Sequence, residues 1–280
     1  MLRFEPGREP VEPRAAATLL VLRDGDEGPE VFCVRRHAAS AFMGGAVVFP
    51  GGKLDDADAA PAFEALTSGL APRAELVADE PSQARALAVC ACREALEEAM
   101  LLVGDPPPND EALRAMRTSL EAGESFATLL EHAGTVLATD RLIPFARWVT
   151  PTAETRRYDA RFYLARALEG QRGLHDEHET VSSVWSTPAR MLAAFESGDV
   201  FLAPPTTRCL ELLRDASDVD AALALAAEQS LEPICPELLP SEARIVLALP
   251  GDPEHSVKTK RVAGPTRFVM EDGRLISADP

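Results

Sequence analysis

Apolar and polar positions alternate through the first fifty residues and recur at helical spacing further along, so the chain opens on strands and continues into helices. After a Pro- and charge-rich lead-in over residues 5–14, Ala15 to Arg23 reads as a strand. Asp24-Gly25-Asp26-Glu27-Gly28 marks a turn, and Glu30 to Arg36, carrying Val31, Phe32 and Val34, completes a hairpin. A loop containing Phe42-Met43-Gly44-Gly45 leads into a further strand, Ala46-Val47-Val48-Phe49, which runs into Pro50-Gly51-Gly52-Lys53-Leu54. Residues 59–81 mix a short helical piece, Pro61 to Leu66, with Gly, Pro and acids, and read as a surface excursion. From Gln83 to Val103 there is no internal Pro or Gly. Val89, Cys92, Leu96, Ala99 and Val103 form one apolar stripe at three- and four-residue steps, with Ser82 as the expected N-cap.

Beyond a breaker cluster at Asp105 to Pro108, helices are expected near Asn109 to Ala122 and Ser125 to Ala133. Strand-like runs return at Leu142 to Thr150, Arg161 to Ala165 and Val181 to Ser186, with helices from Pro188 to Ser197 and Pro205 to Arg214. From about Asp215 the chain holds an Ala-rich helix, a Pro-punctuated link and a hairpin around Glu271-Asp272-Gly273-Arg274. The sum is an α/β chain without internal repeats.

The middle helix carries the candidate chemistry. Glu94, Glu97 and Glu98 stand at i, i+3 and i+4, so their carboxylates project within roughly a 100° arc and converge. Taken alone, such acids opposite an apolar stripe make an ordinary solvated helix face. Three carboxylates held this close repel one another unless a cation neutralises them. Oxygen ligands favour a hard ion, Mg²⁺ or Mn²⁺, which keeps positions for waters and phosphate oxygens. Gly51-Gly52 can add backbone to such a site, because glycine lets the main chain approach an ion or phosphate closely.

Composition narrows the partners. The 280 residues carry a formal net charge of −17 and are 46% hydrophobic, ample for a core. An acidic field of this size argues against nucleic-acid polymers and anionic membranes. A small phosphorylated substrate then needs local cations, and Arg35, Arg36, Arg156 and Arg157 are available. The five cysteines form no CxxC pair or zinc spacing, and no apolar run reaches membrane-spanning length. With no signal peptide discernible, a cytoplasmic location is the expectation.

Phe49-Pro50-Gly51-Gly52-Lys53-Leu54 together with Arg93-Glu94-Ala95-Leu96-Glu97-Glu98 resembles a split Nudix box, the signature of hydrolases of nucleoside diphosphates linked to another group. Counting from Gly52, Asp58 stands where the family has its first glutamate, and 34 residues separate Asp58 from Arg93, so an insertion lies inside the box. Within the family, the interrupted box, Phe42-Met43, Val48 to Gly52 and Trp148-Val149-Thr150-Pro151 are most similar to the peroxisomal-type coenzyme A diphosphatases and their bacterial relatives. The resemblance covers about Ala15 to Arg214 and implies an α/β/α sandwich around a mixed sheet. Residues 215–280 are then a C-terminal extension packed on the same domain.

Carried over residue by residue, the resemblance implies that Glu94, Glu97, Glu98 and the Gly51 carbonyl bind the metals. It implies that Arg93 orients a box carboxylate and that Glu94 is the base. Glu179, ahead of the strand at Val181, is a candidate second acid. Arg35, Arg36 and Arg157 are the candidate substrate contacts. The function implied is hydrolysis of a phosphoanhydride in a nucleoside diphosphate derivative, with coenzyme A or acyl-coenzyme A favoured over ADP-ribose, dinucleotides or nucleotide sugars; a homodimer is left open. Two departures favour the rival reading of a weak, nucleotide-binding regulatory module. Met100 stands where the family has glycine, with Gly104 as a later C-cap, and Asp58 is one methylene short.

Overall fold

The computed structural model describes residues 9–38, 44–176, 180–240 and 244–280. Strands β1 (Arg14–Gly25) and β2 (Gly28–Arg36) form the expected hairpin, followed by β3 (Ala46–Val48) and β4 (Gly51–Lys53). Helices α1 (Ala74–Val77) and α2 (Pro81–Ala99) come next, then β5 (Gly104–Asp105), α3 (Asp110–Glu121), α4 (Phe126–Ala133) and β6 (Val136–Leu137). Strands β7 (Ile143–Val149), β8 (Tyr158–Arg166) and β9 (Thr180–Ser186) lead to α5 (Pro188–Ser197), β10 (Phe201–Leu202), α6 (Pro204–Leu213) and α7 (Val219–Ala227). The chain closes with β11 (Glu237–Leu238), β12 (Val246–Ala248), β13 (Arg267–Glu271) and β14 (Arg274–Ala278).

A mixed eight-stranded sheet runs in the order β10-β3-β2-β1-β8-β7, with β4 also on β1 and β9 also on β2. The long β1 lies parallel to β8 from Arg14 to Leu22. Its other edge is shared, with β4 pairing residues 16–18 and β2 pairing residues 22–25. Alternation along β1 then serves two cores at once, because successive side chains leave opposite faces of a strand. Ala17, Leu19 and Val21 enter the core under α2, α3 and α4. Leu20 and Leu22 enter the other, shared with α5, α6, α7 and the C-terminal strands. The result is the three-layer α/β/α arrangement that the sequence implied.

Four local expectations change. Helix α2 starts one residue before Ser82, with Pro81 in the first turn and Glu80 as the extended capping residue; the fixed φ of proline is already helical and costs no hydrogen bond there. The stretch 59–81 is no surface excursion, since Phe63, Leu66, Ala71 and Val77 are buried in the core beneath α2. Its chain is stitched to β6 by Ser68 N–H to the Leu137 carbonyl and Leu137 N–H to the Leu66 carbonyl, both 2.8 Å. Gly104 lies in β5 rather than capping α2. The helix instead ends at Met100, left-handed at φ 52° and 3% exposed. Met100 N–H donates to the Leu96 carbonyl and Leu101 N–H to the Ala95 carbonyl, which closes the last turn.

After α7 the Pro-punctuated link conceals strands. Strands β11 to β14 form a second antiparallel sheet, in the order β11-β12-β13-β14. The expected hairpin is there, Glu271 facing Arg274 across Asp272-Gly273, both with positive φ. No described helix is long and apolar enough to cross a membrane.

Candidate active site

Strand β4 lies against β1 so closely that a methyl group added at Gly51 would come within 2.6 Å of the Ala17 carbonyl oxygen. The Gly51 N–H donates to Glu98 Oε2 at 3.1 Å. A methyl group at Gly52 would lie 2.6 Å from the carboxylate of Glu94. The two glycines therefore do different work: the first seats the strand on the sheet, and the second makes room for an α2 side chain.

Arg93 is the hub. Buried at 7% exposure, it grips Asp58 in a two-pronged pair, Nε to Oδ1 at 2.8 Å and Nη2 to Oδ2 at 2.9 Å. Its Nη1 donates to Glu94 Oε1 at 2.8 Å and to Glu97 Oε2 at 3.0 Å, and Nη2 reaches the Lys53 carbonyl at 3.2 Å. Asp58, 1% exposed, also accepts the Asp55 N–H. Lack of reach is thus no handicap for the shorter acid, because a 3-10 turn at Asp56–Ala59 carries it to Arg93. Arg36 Nη1 lies 3.5 Å from Glu98 Oε1.

Burial pushes the Glu94 carboxyl up to about 7, against the pull of Arg93. Glu97 is raised for the same reason. Four carboxylates, Asp58, Glu94, Glu97 and Glu98, face two guanidiniums, Arg93 and Arg36. The surplus is negative, oxygen-only and partly desolvated, a donor set that fits a hard divalent cation. Among the described residues no three acids, histidines or cysteines are gathered so that they could together hold a metal ion as they stand. Arg93 accounts for this by drawing Glu94 and Glu97 to itself.

A cavity of about 450 Å³ opens beside Glu94 and Glu98. Arg36, Lys53, Gly51 and Gly52 line the acid end. Trp148, Pro151, Phe162, Pro205, Pro236 and Leu247 supply apolar wall. Of the arginine candidates, Arg36 lines the cavity and Arg35, exposed on the alternate position of β2, does not. Arg157 is buried, and its guanidinium serves the Thr150 and Val11 carbonyls at 3.0 and 2.7 Å, a tie between backbone segments rather than a substrate contact. Glu97 is not among the residues lining the cavity and is held by Arg93. Glu179, like Phe42-Met43, lies outside the described residues.

All five cysteines are unpaired, and burial pushes the thiols of Cys33 and Cys92 up to about 12, so neither is a ready nucleophile. Sequence reading assigned no role to Lys53, Phe162, Pro205, Pro236 or Leu247. Lys53 had a local signal in its place after Gly51-Gly52, whereas Leu247 had none, because a tertiary contact so far along the chain from the box leaves no trace in local pattern.

Comparison with known proteins agrees with this arrangement. The family model described as the NUDT19 Nudix domain matches residues 14–214. An acyl-coenzyme A diphosphatase NUDT19 from Gallus gallus is 28% identical, the match covering 87% of this chain and 78% of that protein. The Homo sapiens protein of that name is also 28% identical, covering 81% and 72%. Among solved structures, a NUDIX hydrolase from Alicyclobacillus acidocaldarius superposes with a TM-score of 0.66 at 28% identity, over 76% of this chain and 96% of that one.

Proposed function

The chain belongs to the Nudix hydrolases, in the branch of the NUDT19 Nudix domain, and from that premise we propose that this pyrophosphohydrolase cleaves the phosphoanhydride of coenzyme A and its acyl thioesters in a divalent-metal-dependent reaction. The observation that carries the reading is the shape of the cavity, which joins the Glu94–Glu98 acid cluster to an apolar wall. A diphosphate with an apolar arm matches both ends, and the relatives named as acyl-coenzyme A diphosphatases point the same way.

Glu94, Glu97 and Glu98, with the Gly51 backbone, are the residues that would hold Mg²⁺ or Mn²⁺. Such an ion, when bound, neutralises charge on the diphosphate and lowers the pKa of the attacking water. The chain's own residues do the rest. Glu94, lining the cavity and held by Arg93, is our choice to accept the water's proton, since a base must stand within reach of the proton it takes. Glu179 is the second candidate for that role. Arg93, locked by Asp58, fixes the orientation of Glu94 and Glu97. Arg36 and Lys53 offer positive charge to phosphate oxygens at the acid end. The unpaired thiols support a reducing compartment such as the cytoplasm.

The test is hydrolysis by the purified protein with Mg²⁺ or Mn²⁺, with products resolved by mass. Cleavage of coenzyme A to 3′,5′-ADP and phosphopantetheine supports the reading; cleavage only of ADP-ribose, dinucleotides or nucleotide sugars reassigns the substrate. Glu97→Gln and Glu98→Gln lower turnover by orders of magnitude, and wild-type turnover in both would remove the metal assignment.

A further inference from the structure

The family-model match ends at residue 214, yet two of the residues walling the cavity, Pro236 and Leu247, come from beyond it. Their placement is built rather than incidental. Ile234 N–H donates to the Arg147 carbonyl at 2.8 Å and Val149 N–H to the Ile234 carbonyl at 2.9 Å, so the link is hydrogen-bonded to β7 immediately before Pro236. Arg261 Nη1 holds the Pro233 carbonyl at 2.6 Å and His255 Nε2 the Cys235 carbonyl at 3.0 Å. Leu247, 1% exposed, sits on β12 between β11 and β13. Pro236 is thus placed by its link's bonds to β7 and to the C-terminal segment, and Leu247 by strands that lie beyond the family-model match.

The chemistry of the wall says which end of the substrate it takes. Trp148, Pro151, Phe162, Pro205, Pro236 and Leu247 carry no charge, and among the described residues the cations lining the cavity, Arg36 and Lys53, belong to the acid end. A 3′-phosphate on the adenosine arm, brought against that wall, would be desolvated without a cationic partner. The pantetheine arm is uncharged, and an acyl group extends it with an uncharged thioester carbonyl and an alkyl chain that lengthens by methylenes.

We propose that the C-terminal extension, through Pro236 and Leu247, forms with Trp148 and Phe162 a subsite for the acyl-pantetheine arm and so sets preference among acyl chains. This rests on the reading of the chain as a coenzyme A-type diphosphatase. Burial of methylenes favours binding by up to about fourfold per group. The specificity constant rises with acyl length, mainly through KM since the contact is remote from the bond broken, and levels off when the cavity is full.

The experiment compares kcat/KM for free, butanoyl-, hexanoyl-, octanoyl- and dodecanoyl-coenzyme A in the wild type, Leu247→Phe and Leu247→Ala. Leu247→Phe moves the levelling point to shorter chains and Leu247→Ala to longer ones. Binding is read separately without metal in Trp185→Phe, which leaves Trp148 as the one tryptophan of the two in the chain: S-acyl-pantetheine shifts its emission and 3′,5′-ADP does not. If coenzyme A is cleaved but the length profile is flat in the wild type, or the profile is unmoved in folded Leu247 variants, the subsite is wrong while the diphosphatase reading stands. A Trp148 response to 3′,5′-ADP alone reverses the orientation and overturns the proposal. If neither coenzyme A nor any thioester is cleaved, both fall.

Discussion

Adjacent glycines give opposite expectations at the scale of single residues. In Gly52→Ala the new methyl group meets the far end of the flexible Glu94 side chain. Stability then changes by about 1 kcal/mol or less, while the carboxylate leaves its place beside Arg93 and kcat falls at least roughly tenfold. In Gly51→Ala the methyl group meets the backbone of Ala17 and Thr18, and the sheet itself gives way. Thermal melts and initial rates of both variants check this; equal melting losses would show that Gly52 serves only the backbone. Glu94 also ties stability to pH. Its carboxyl is raised from 4.5 to about 7 in the folded chain, so the native state holds a proton that the unfolded state has released between those values. Stability therefore falls as pH rises through that window and is flat above it, by roughly 3 kcal/mol from this group alone. A divalent cation favours the ionised form, so the rise in melting temperature on adding Mg²⁺ is larger at pH 8 than at pH 5. Glu94→Gln flattens the metal-free slope, and an unchanged slope would move its origin elsewhere.

Elements were legible in the sequence where one face decided them. Strand β1, the β13–β14 hairpin and α5 follow directly from alternation, the Asp272-Gly273 turn and a Pro188 start. The acids of α2 were legible too, because i, i+3 and i+4 spacing is local. The insert was misread because Leu66, Ala71 and Val77 are too widely spaced to form a periodic stripe, and only the core beneath α2 reveals them as buried. The hub role of Asp58 escaped for a similar reason: its partner lies 35 residues away. The end of α2 shows the same tertiary override. Met100 holds a left-handed conformation that costs a non-glycine residue about 1–2 kcal/mol, and its side chain packs among the buried residues of the core. Met100→Gly removes the strain but opens a cavity of larger cost, about 2–5 kcal/mol for losing a buried side chain of this size. The variant is less stable by roughly 2 kcal/mol, with turnover per folded molecule unchanged. Chemical denaturation measures the first and rate per active site the second; a rate gain would mean that Met100 restrains the site.

At the scale of the whole molecule, the limit of the family-model match and the limit of the physical core fall in different places. The match stops at residue 214, but Val219, Ala222, Ala226, Ile234, Leu247, Leu249, Val262, Phe268 and Leu275 are buried in the core that also takes Leu20, Leu22, Phe162 and Leu164 from the main sheet. Polar ties cross the same boundary. Arg208 on α6, itself fully buried, reaches the Ala263 and Pro265 carbonyls at 2.6 and 2.7 Å, and Arg73 of the box insert reaches the Ala227 and Gln229 carbonyls at 2.6 Å. A chain cut after Arg214 would expose one face of the sheet and leave Arg208 without those carbonyl partners, and each buried side chain lost is worth about 1.5–3 kcal/mol against a total stability of about 5–15 kcal/mol. The expected result is that residues 1–214 keep strand and helix signal in the far ultraviolet but lose near-ultraviolet signal and a sharp melt. The full chain, in contrast, unfolds in one cooperative step. A sharp, reversible melt from the truncated chain would make residues 215–280 a separable appendage. It would also remove the structural reason for a cavity wall built from both sides of residue 214.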